Sequence, residues 1–295
     1  MQDAASVSGR IDMRRVYRGK TMKEIRSHSN EYIKMLRSLK RKKFRDEQGL
    51  YIIEGAKTIE EAVSSGQELA CILISDKNGS VMRFAQQHNV ETITVPYEIV
   101  QQVADTKSPP KELACVKKQE NLPDLGGSFY VALDDVNDPK NLGTIIRTAD
   151  AAGADGVFIS ETSADFYGPK AQRAAMGSTF HIPIEVCDLK KRLAGLKESG
   201  VKIVSGSLQG KEEMPEGLTA ACVVVGNEAR GISKEIADMS DVLYKICIYG
   251  QAESLNASVA AGIICLLYTS ISGISAITTP SCITARRISR ISSAS

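Results

Sequence analysis

Three short polar stretches, distant from one another in the chain, carry side chains that could bind a charged substrate. The first begins at Asn141 and reaches Arg147, the second is Gly-Asn-Glu-Ala-Arg-Gly at 226–231, and the third contains Ser254 and Asn256. An arginine guanidinium presents its N–H donors in a rigid fork that matches a phosphate group. The residue types therefore fit a nucleotide, provided that the fold brings the three stretches together.

The first stretch is predicted to lie on a strand, a tight loop and a helix. An apolar run starts at Phe129 and stops at two aspartates, Pro139 interrupts the chain, and Asn141 opens a helical pattern. In an open α/β sheet this arrangement places a site at the carboxyl ends of the strands. Strand and helix patterns alternate through this half of the chain, which predicts a parallel, doubly wound sheet. The predicted strands are 129–133, 157–159, 182–186, 202–205, 222–225 and 243–248, and the predicted helices are 142–152, 170–175, 189–198, 233–237 and 256–267.

The first half of the chain also alternates between strand and helix patterns, which predicts a small α/β domain. A Pro- and Gly-containing linker separates it from the second domain. The first residues are polar and without period, and the last 27 contain eight Ser, six Ile and no acidic residue. The predicted organisation is a disordered or non-native leader at 1–21, domains at 22–118 and 128–268, a linker at 119–127, and a disordered or non-native tail at 269–295.

Composition excludes several classes of protein. No apolar run reaches membrane-spanning length and the N-terminus lacks a signal-peptide core, so a cytoplasmic protein is expected. The seven cysteines form no C-x-x-C pair, which argues against a zinc site, and no other metal site is predicted. The loop after residue 133 lacks the G-x-G-x-x-G pattern, so a Rossmann dehydrogenase or Rossmann methyltransferase is disfavoured. None of the three His residues lies in the polar stretches, which disfavours a His-dependent hydrolase.

A basic segment follows the first apolar helical stripe. Six of the nine residues at 37–45 are Lys or Arg, which predicts a phosphate-binding patch for RNA. The alternative is an ordinary solvated helix face. The candidate RNA-binding residues here are Arg37, Lys40, Arg41, Lys42, Lys43 and Arg45.

The three polar stretches resemble the signatures of one protein family, in order and with similar spacing. Asn-Leu-Gly-Thr-Ile-Ile-Arg-Thr-Ala at 141–149 resembles the first signature of the SpoU/TrmH family of RNA 2′-O-ribose methyltransferases. Val-Gly-Asn-Glu-Ala-Arg-Gly-Ile-Ser at 225–233 resembles the second, and residues 248–262 resemble the third. Residues 30–118 are similar to the L30e-like substrate-binding domain often found before this catalytic domain. The resemblance covers about residues 22–267.

The resemblance implies a catalytic domain with a deep trefoil knot, formed here by about residues 222–267. It implies S-adenosylmethionine as cofactor, bound bent in the knot, and an active site at a homodimer interface. One position departs from the family pattern, since Cys247 stands where the family usually has Pro. A Pro there would fix φ before the cofactor loop, so Cys could loosen that loop.

The resemblance also assigns roles to individual residues. A purely structural role remains open for each of three residues, because Asn141 or Asn256 could simply cap a helix and Glu228 could be a first-turn acid. Arg147 is expected to hold an RNA phosphate. The implied catalytic residues are Asn141, Arg147, Glu228, Ser254 and Asn256. The implied cofactor-binding residues are Gly226, Asn227, Glu228, Ile248, Leu255 and Asn256.

The leading hypothesis is an S-adenosylmethionine-dependent RNA 2′-O-methyltransferase acting on structured RNA. A guanosine in 23S ribosomal RNA is the favoured target, and transfer RNA is the alternative substrate. A non-catalytic RNA-binding protein would instead bind RNA in a salt-sensitive way without turnover or donor binding. A small-molecule α/β enzyme would not need the basic segment.

Overall fold

The computed structural model describes residues 23–76, 79–215 and 217–271. These residues form two compact units. The first contains the described residues up to Glu120 together with Asp165–His181, and the second contains Asn121–Ala164 and the described residues from Ile182 onward. The units are therefore not continuous in sequence, whereas the domains predicted from the sequence are. The predicted leader and residues 272–295 of the predicted tail lie outside the described residues.

The first unit contains a five-stranded mixed sheet in the order β1-β4-β3-β5-β2, in which β5 runs antiparallel to both of its neighbours. Its strands are β1 Lys23–Glu24, β2 Leu50–Glu54, β3 Leu69–Ile74, β4 Thr92–Thr94 and β5 Glu112–Lys117. Its helices are α1 Glu31–Ser38, α2 Lys42–Gln48, α3 Ala56–Ser64, α4 Ser80–Gln87, α5 Tyr97–Val103 and α7 Pro169–Ala175. Sequence patterns did not reveal β5, because its short core contains Ala and Cys rather than the bulky residues that favour strands.

The second unit contains a six-stranded sheet in the order β11-β9-β10-β6-β7-β8, with every neighbouring pair parallel. The predicted parallel α/β architecture is thus confirmed. Its strands are β6 Phe129–Asp134, β7 Gly156–Ser160, β8 Ile184–Cys187, β9 Lys202–Lys211, β10 Ala221–Gly226 and β11 Val242–Tyr244. Its helices are α6 Pro139–Ala151, α8 Leu189–Glu198, α9 Lys234–Met239 and α10 Ala257–Ile271.

Helices cover both faces of this sheet, which explains why β6 and β10 are buried along their whole length. Apolar residues of α8 and α9 pack on one face, around Tyr130 and Phe158. The helix α10 packs on α6 and on β10. Three element ends in this unit differ from the prediction by four or more residues: β9 continues to Lys211 instead of 205, β11 ends at Tyr244 instead of 248, and α10 continues through Ile271 into the predicted tail.

The basic segment at 37–45 spans the end of α1 and the start of α2. Arg41 has an extended conformation, with φ −100° and ψ 133°, and precedes α2. In the second of these helices Arg45 is buried, with 4% of its surface exposed. Its guanidinium donates to the Asp165 carboxylate at 2.6 and 3.0 Å and to the backbone carbonyls of Leu39 and Lys40. The prediction that Arg45 binds RNA is therefore wrong, because its donors are engaged inside the first unit.

The segment Asp165–His181 completes the first unit. Besides the Arg45–Asp165 pair, the rings of Tyr51 and Tyr167 lie 4.8 Å apart, and Arg173 contacts the Asp105 carboxylate at 2.8 Å. These contacts bury charged and aromatic groups that residues 23–120 could not cover alone. No helix within the described ranges is long and apolar enough to cross a membrane.

Candidate active site

One residue from each polar stretch takes part in a single hydrogen-bonded network. The Asn141 side-chain nitrogen donates to Glu228 Oε1 at 3.0 Å, and Asn256 Nδ2 donates to Asn141 Oδ1 at 3.0 Å. Asn141 is only 8% exposed. The fold thus brings together three side chains that are separated by 87 and 115 residues in the chain.

Asn141 does not cap the helix that carries it. Asp138 does so, because its carboxylate accepts from the Lys140 backbone N–H at 2.7 Å, and Pro139 occupies the first turn, where a missing N–H costs nothing. The Asn141 side chain follows in the same first turn and is left to bond Glu228 and Asn256. This geometry excludes the alternative in which Asn141 is merely a helix cap.

Glu228 anchors the start of α6 from another loop. Its carboxylate accepts from the backbone N–H groups of Asn137 and Asp138 at 3.3 and 3.1 Å, besides the Asn141 amide. Partial burial tends to raise the pKa of Glu228, but these hydrogen bonds outweigh it and hold the pKa below its ordinary value. Residues 227–231 form a turn rather than a helix, so Glu228 is not a first-turn acid of its own segment.

A second set of contacts joins the same two loops. Asn227 Nδ2 donates to the backbone carbonyl of Asp135 at 2.9 Å, and Asn227 Oδ1 accepts from the Ala229 N–H at 2.9 Å. Arg230 forms an ion pair with the Asp135 carboxylate. Asp135 has a φ of +59°, a left-handed conformation that Asp tolerates better than most residues. The contacts of Asn227 hold the loop in shape.

Asn256 has two structural roles at once. Its Oδ1 accepts from the Ser258 backbone N–H at 2.9 Å, which caps the first turn of α10, while its Nδ2 donates to Asn141. The capping alternative and the network are therefore both correct for this residue. The cap fixes the start of α10 relative to the loop that precedes it.

A cavity of about 720 Å³ lies in the second unit beside this network. It is walled by the loop after β10, by the segment after β11 and by α10. Six predicted residues line it, namely Gly226, Asn227, Glu228, Ile248, Ser254 and Leu255. Asn256 is not part of the wall but precedes Ala257, which is.

Gly226 sits where the cavity wall folds back on itself. A Cβ added there would lie 2.2 Å from the carbonyl carbon of Gly231 and from the nitrogen of Ile232, a distance that no side chain can occupy. The backbone of the loop can approach itself only because position 226 is glycine.

Part of the cavity wall was missed by sequence reasoning. The end of β9 contributes Leu208, which is 62% exposed, and β11 contributes Tyr244. A signal was present in the glycines of β9, since a Cβ on Gly210 would lie 2.4 Å from the Leu243 carbonyl oxygen. Glycine inside a strand pattern often marks such a close backbone approach.

Two predicted catalytic residues lie outside the network. Arg147 is exposed on α6 and has no hydrogen-bond or ion-pair partner among the residues that the structure describes. Six residues separate it from Asn141, so it projects about 120° around the helix from it. Ser254 is exposed and lines the cavity, and among the described residues its side chain makes no hydrogen bond to Asn141 or Glu228. Their roles stay predictions.

The basic segment of the first unit remains exposed apart from Arg45. The guanidinium of Arg41 lies 4.6 Å from the centre of the Phe44 ring, and Lys43 is 3.8 Å from the Glu47 carboxylate. Such contacts orient the cations without neutralising the surface. The exposed cations are Arg37, Lys40, Arg41, Lys42 and Lys43.

Comparison with known proteins matches the site and the architecture. The model of the SpoU rRNA Methylase family matches residues 128–266, and that of the MRM3-like substrate binding domain matches residues 30–114. The 23S rRNA (guanosine(2553)-2′-O)-methyltransferase RlmP of Bacillus subtilis is 34% identical over 247 residues, covering 82% of this chain and 98% of that protein. The chain belongs to the SpoU family. The predicted family and enzyme class, an RNA methyltransferase, are thereby confirmed.

Solved structures of SpoU-family proteins have the same architecture. The AdoMet-bound rRNA methyltransferase from Sinorhizobium meliloti superposes with a TM-score of 0.76 at 29% identity, covering 85% of this chain and 98% of that one. The SpoU methyltransferase AviRb from Streptomyces viridochromogenes, in complex with AdoMet, has a TM-score of 0.72 at 25% identity and covers 83% and 99%. Both cover the two compact units rather than the catalytic part alone.

Proposed function

We propose that this SpoU-family enzyme transfers the methyl group of S-adenosylmethionine to a ribose 2′-OH in structured RNA, and that a guanosine of 23S ribosomal RNA is its substrate. The proposal rests on the Asn141–Glu228–Asn256 network at the edge of a 720 Å³ cavity. The name of the Bacillus subtilis relative supports the choice of 23S ribosomal RNA and guanosine.

The cavity fits S-adenosylmethionine in size and chemistry. Small-molecule sites usually have volumes of about 300–1,000 Å³, with apolar walls and a few polar groups. Here Leu208, Ile248 and Leu255 supply apolar surface, and the loop after β10 supplies backbone polar groups that approach closely because of Gly226. Bound there, the cofactor supplies an electrophilic methyl group on a sulfonium. We propose that residues 222–267 hold it in the knot that the family resemblance implies.

We propose that the Asn141–Glu228–Asn256 network positions the ribose that receives the methyl group and does not act as the base. Glu228 already receives three hydrogen bonds and has a lowered pKa, so it is a weak base. Its task is to hold the start of α6 and the Asn141 amide. A ribose hydroxyl is a weak nucleophile, and fixing it in line with the donor can supply much of the rate.

Arg147 is proposed to bind the RNA phosphate next to the reacting ribose. Its donors are exposed, and a guanidinium is a hydrogen-bond donor without an acceptor site, so we assign it to phosphate binding rather than to proton removal. We propose that the 2′ oxygen forms its bond to the methyl carbon as the sulfonium–methyl bond breaks, and that a phosphate oxygen relays the 2′-OH proton to water. The exposed cations at 37–43 in the first unit then supply sequence-independent attraction to the RNA backbone.

We also propose that the protein works as a homodimer in the cytoplasm. On α10, Val259 is 50% exposed and Leu266 48% exposed, and the half-buried Ile263 lies between them on the same helical face. An exposed apolar stripe of this kind suits a self-complementary contact between two copies. A Leu266→Lys variant that stays dimeric in light scattering would contradict this placement of the interface.

Methylation with a labelled donor tests the proposed function. Unmodified 23S ribosomal RNA should accept label at a guanosine ribose, whereas 16S ribosomal RNA and transfer RNA should not. Incorporation of label into transfer RNA alone would show that transfer RNA, and not 23S ribosomal RNA, is the substrate. Calorimetry with S-adenosylhomocysteine separates the enzyme from a non-catalytic RNA-binding protein, because the latter would not bind it.

A further inference from the structure

Tyr249 is the most exposed large hydrophobic side chain of the described residues, at 97% exposure. It begins a loop, residues 249–256, in which every residue is exposed. The loop is tied to the cavity at both ends, since Ile248 and Leu255 line the cavity wall. An aromatic ring is therefore displayed on a short segment that starts and ends at the proposed cofactor site.

The other tyrosines show how unusual this placement is. Of the remaining tyrosines in the described ranges, Tyr32, Tyr51, Tyr130, Tyr244 and Tyr268 are buried. Tyr249 nevertheless lies near the cavity, because it directly follows Ile248, which lines the cavity wall. The backbone that carries the Tyr249 ring is therefore adjacent to the cavity wall.

The composition of the loop indicates what covers the ring. Apart from Tyr249, its only large apolar residue is Leu255, so a second protein copy would find little apolar surface there. The apolar stripe of α10 offers that surface instead. A nucleobase, by contrast, needs only one flat π-face to stack on, and loop amides and hydroxyls can surround its edges.

We propose that Tyr249 stacks on the base of the nucleotide whose ribose is methylated. This inference rests on the proposed function and adds a substrate-binding residue to it. The far end of the loop is Asn256, which bonds Asn141 in the network that positions the acceptor ribose. The base attached to that ribose has to lie within one nucleotide of the network, and the loop that carries the ring ends at Asn256 in that network.

Stacking predicts a specific pattern of variant behaviour. A ring is required and the hydroxyl is not, so Tyr249→Phe should keep most of the activity. Tyr249→Ala should lower kcat/KM for RNA roughly 5- to 150-fold, the cost of losing one stacked base. Binding of S-adenosylhomocysteine should stay the same in both. Val186→Ala is the matched control, since Val186 is 50% exposed on the edge strand β8, at the opposite end of the sheet from β11.

The absence of tryptophan from the sequence gives a direct probe of the contact. In Tyr249→Trp the new indole is the sole tryptophan, and stacking on a base should quench its fluorescence. The RNA probe is a 23S fragment containing the guanosine that corresponds to position 2553 in the name of the relative. Quenching should occur with this fragment and be lost with an abasic nucleotide at the same position.

Three results would overturn the proposal. They are equal quenching by the abasic fragment, unchanged kcat/KM in Tyr249→Ala, or conversion of Tyr249→Ala to a monomer, which would make the ring a contact between copies. The fluorescence measurement does not depend on turnover. Failure of the wild type to methylate any RNA would therefore reject the proposed function, while the quenching experiment still reports on stacking.

Discussion

Asn141 and Glu228 are hydrogen-bonded side chain to side chain at 3.0 Å, although 87 residues separate them. The bond joins the first turn of α6 to the loop after β10, and these elements follow two adjacent parallel strands. Because Asn141 also accepts from Asn256, it is the central member of the network. Removing it disconnects the other two.

Asn141→Ala should lower kcat/KM by about 100-fold, because a small misplacement of the acceptor can cost that much. Glu228→Ala should have a similar effect, and the double variant should lose little more, since both residues act as one unit. Single-turnover kinetics of the three variants measure the coupling. Thr144→Ala, exposed on the same helix, is the control. Multiplicative losses would show that the two residues act independently.

Arg147→Ala should abolish detectable methyl transfer while the protein stays folded. An exposed side chain without partners among the described residues should change the free energy of unfolding by less than about 0.5 kcal/mol. Arg147→Lys should restore part of the activity, because Lys keeps the charge but loses the two-pronged hydrogen bonding. Turnover near the wild-type rate in purified Arg147→Ala would refute the phosphate-binding role.

The ionisation of Glu228 should contribute to stability at neutral pH and be lost in acid. Its pKa in the folded protein is held below the ordinary value by hydrogen bonds, against the effect of burial. The contribution is therefore complete above the unfolded pKa of about 4.3 and disappears as the pH falls through the folded pKa. Thermal unfolding of wild type and Glu228→Gln should differ at pH 7 and converge toward pH 3. A constant difference across that range would contradict the assignment.

Asp165→Ala should destabilise the first unit by about 3–5 kcal/mol, because it leaves the Arg45 charge buried and unpaired. The side chains of this pair are 5% and 13% exposed. Glu31→Ala removes an exposed pair with Lys34 from the same unit and should cost less than about 1 kcal/mol. Urea unfolding of both variants measures the loss in the free energy of unfolding. Equal losses would show that the buried pair stabilises the first unit no more than the exposed pair does.

Replacing the exposed cations at 40–43 with Ala should weaken RNA binding without changing kcat at saturating RNA. Each lost phosphate contact should reduce the slope of log K against log salt by about 0.7–0.9. Filter binding over a range of salt concentrations measures this slope. Lys190→Ala with Lys191→Ala, on an exposed face of α8, is the charge-matched control for half of the change. An unchanged slope would show that the RNA phosphates do not contact the cations at 40–43.

Sequence reasoning could propose the candidate site because its residues fall in recognisable local patterns. The strand, loop and helix around Asn141 were readable from one apolar run and one Pro. The hydrogen bond to Glu228 was not, because it depends on the register in which Gly226 pairs with Asp134. That register brings the residues that follow each strand side by side, and it is set by packing across the whole sheet.

Other features could not be predicted because they depend on distant partners. Arg45 looked like one more basic residue of an exposed helix, and only Asp165, 120 residues later, removes it from the surface. Leu208 lies beyond the strand predicted at 202–205, and it lines the cavity together with Leu243, whose carbonyl approaches Gly210 closely. Local periodicity carries no information about either contact.

The distance in sequence between Arg45 and Asp165 also sets an order of events during synthesis on the ribosome. Domains usually fold as they emerge, the N-terminal one first. Here the first unit cannot bury its arginine until residue 165 has been made. By then the ribosome has already produced β6 and β7, two neighbouring strands of the second sheet. The proposed RNA-binding surface therefore reaches its final form only after construction of the catalytic sheet has begun.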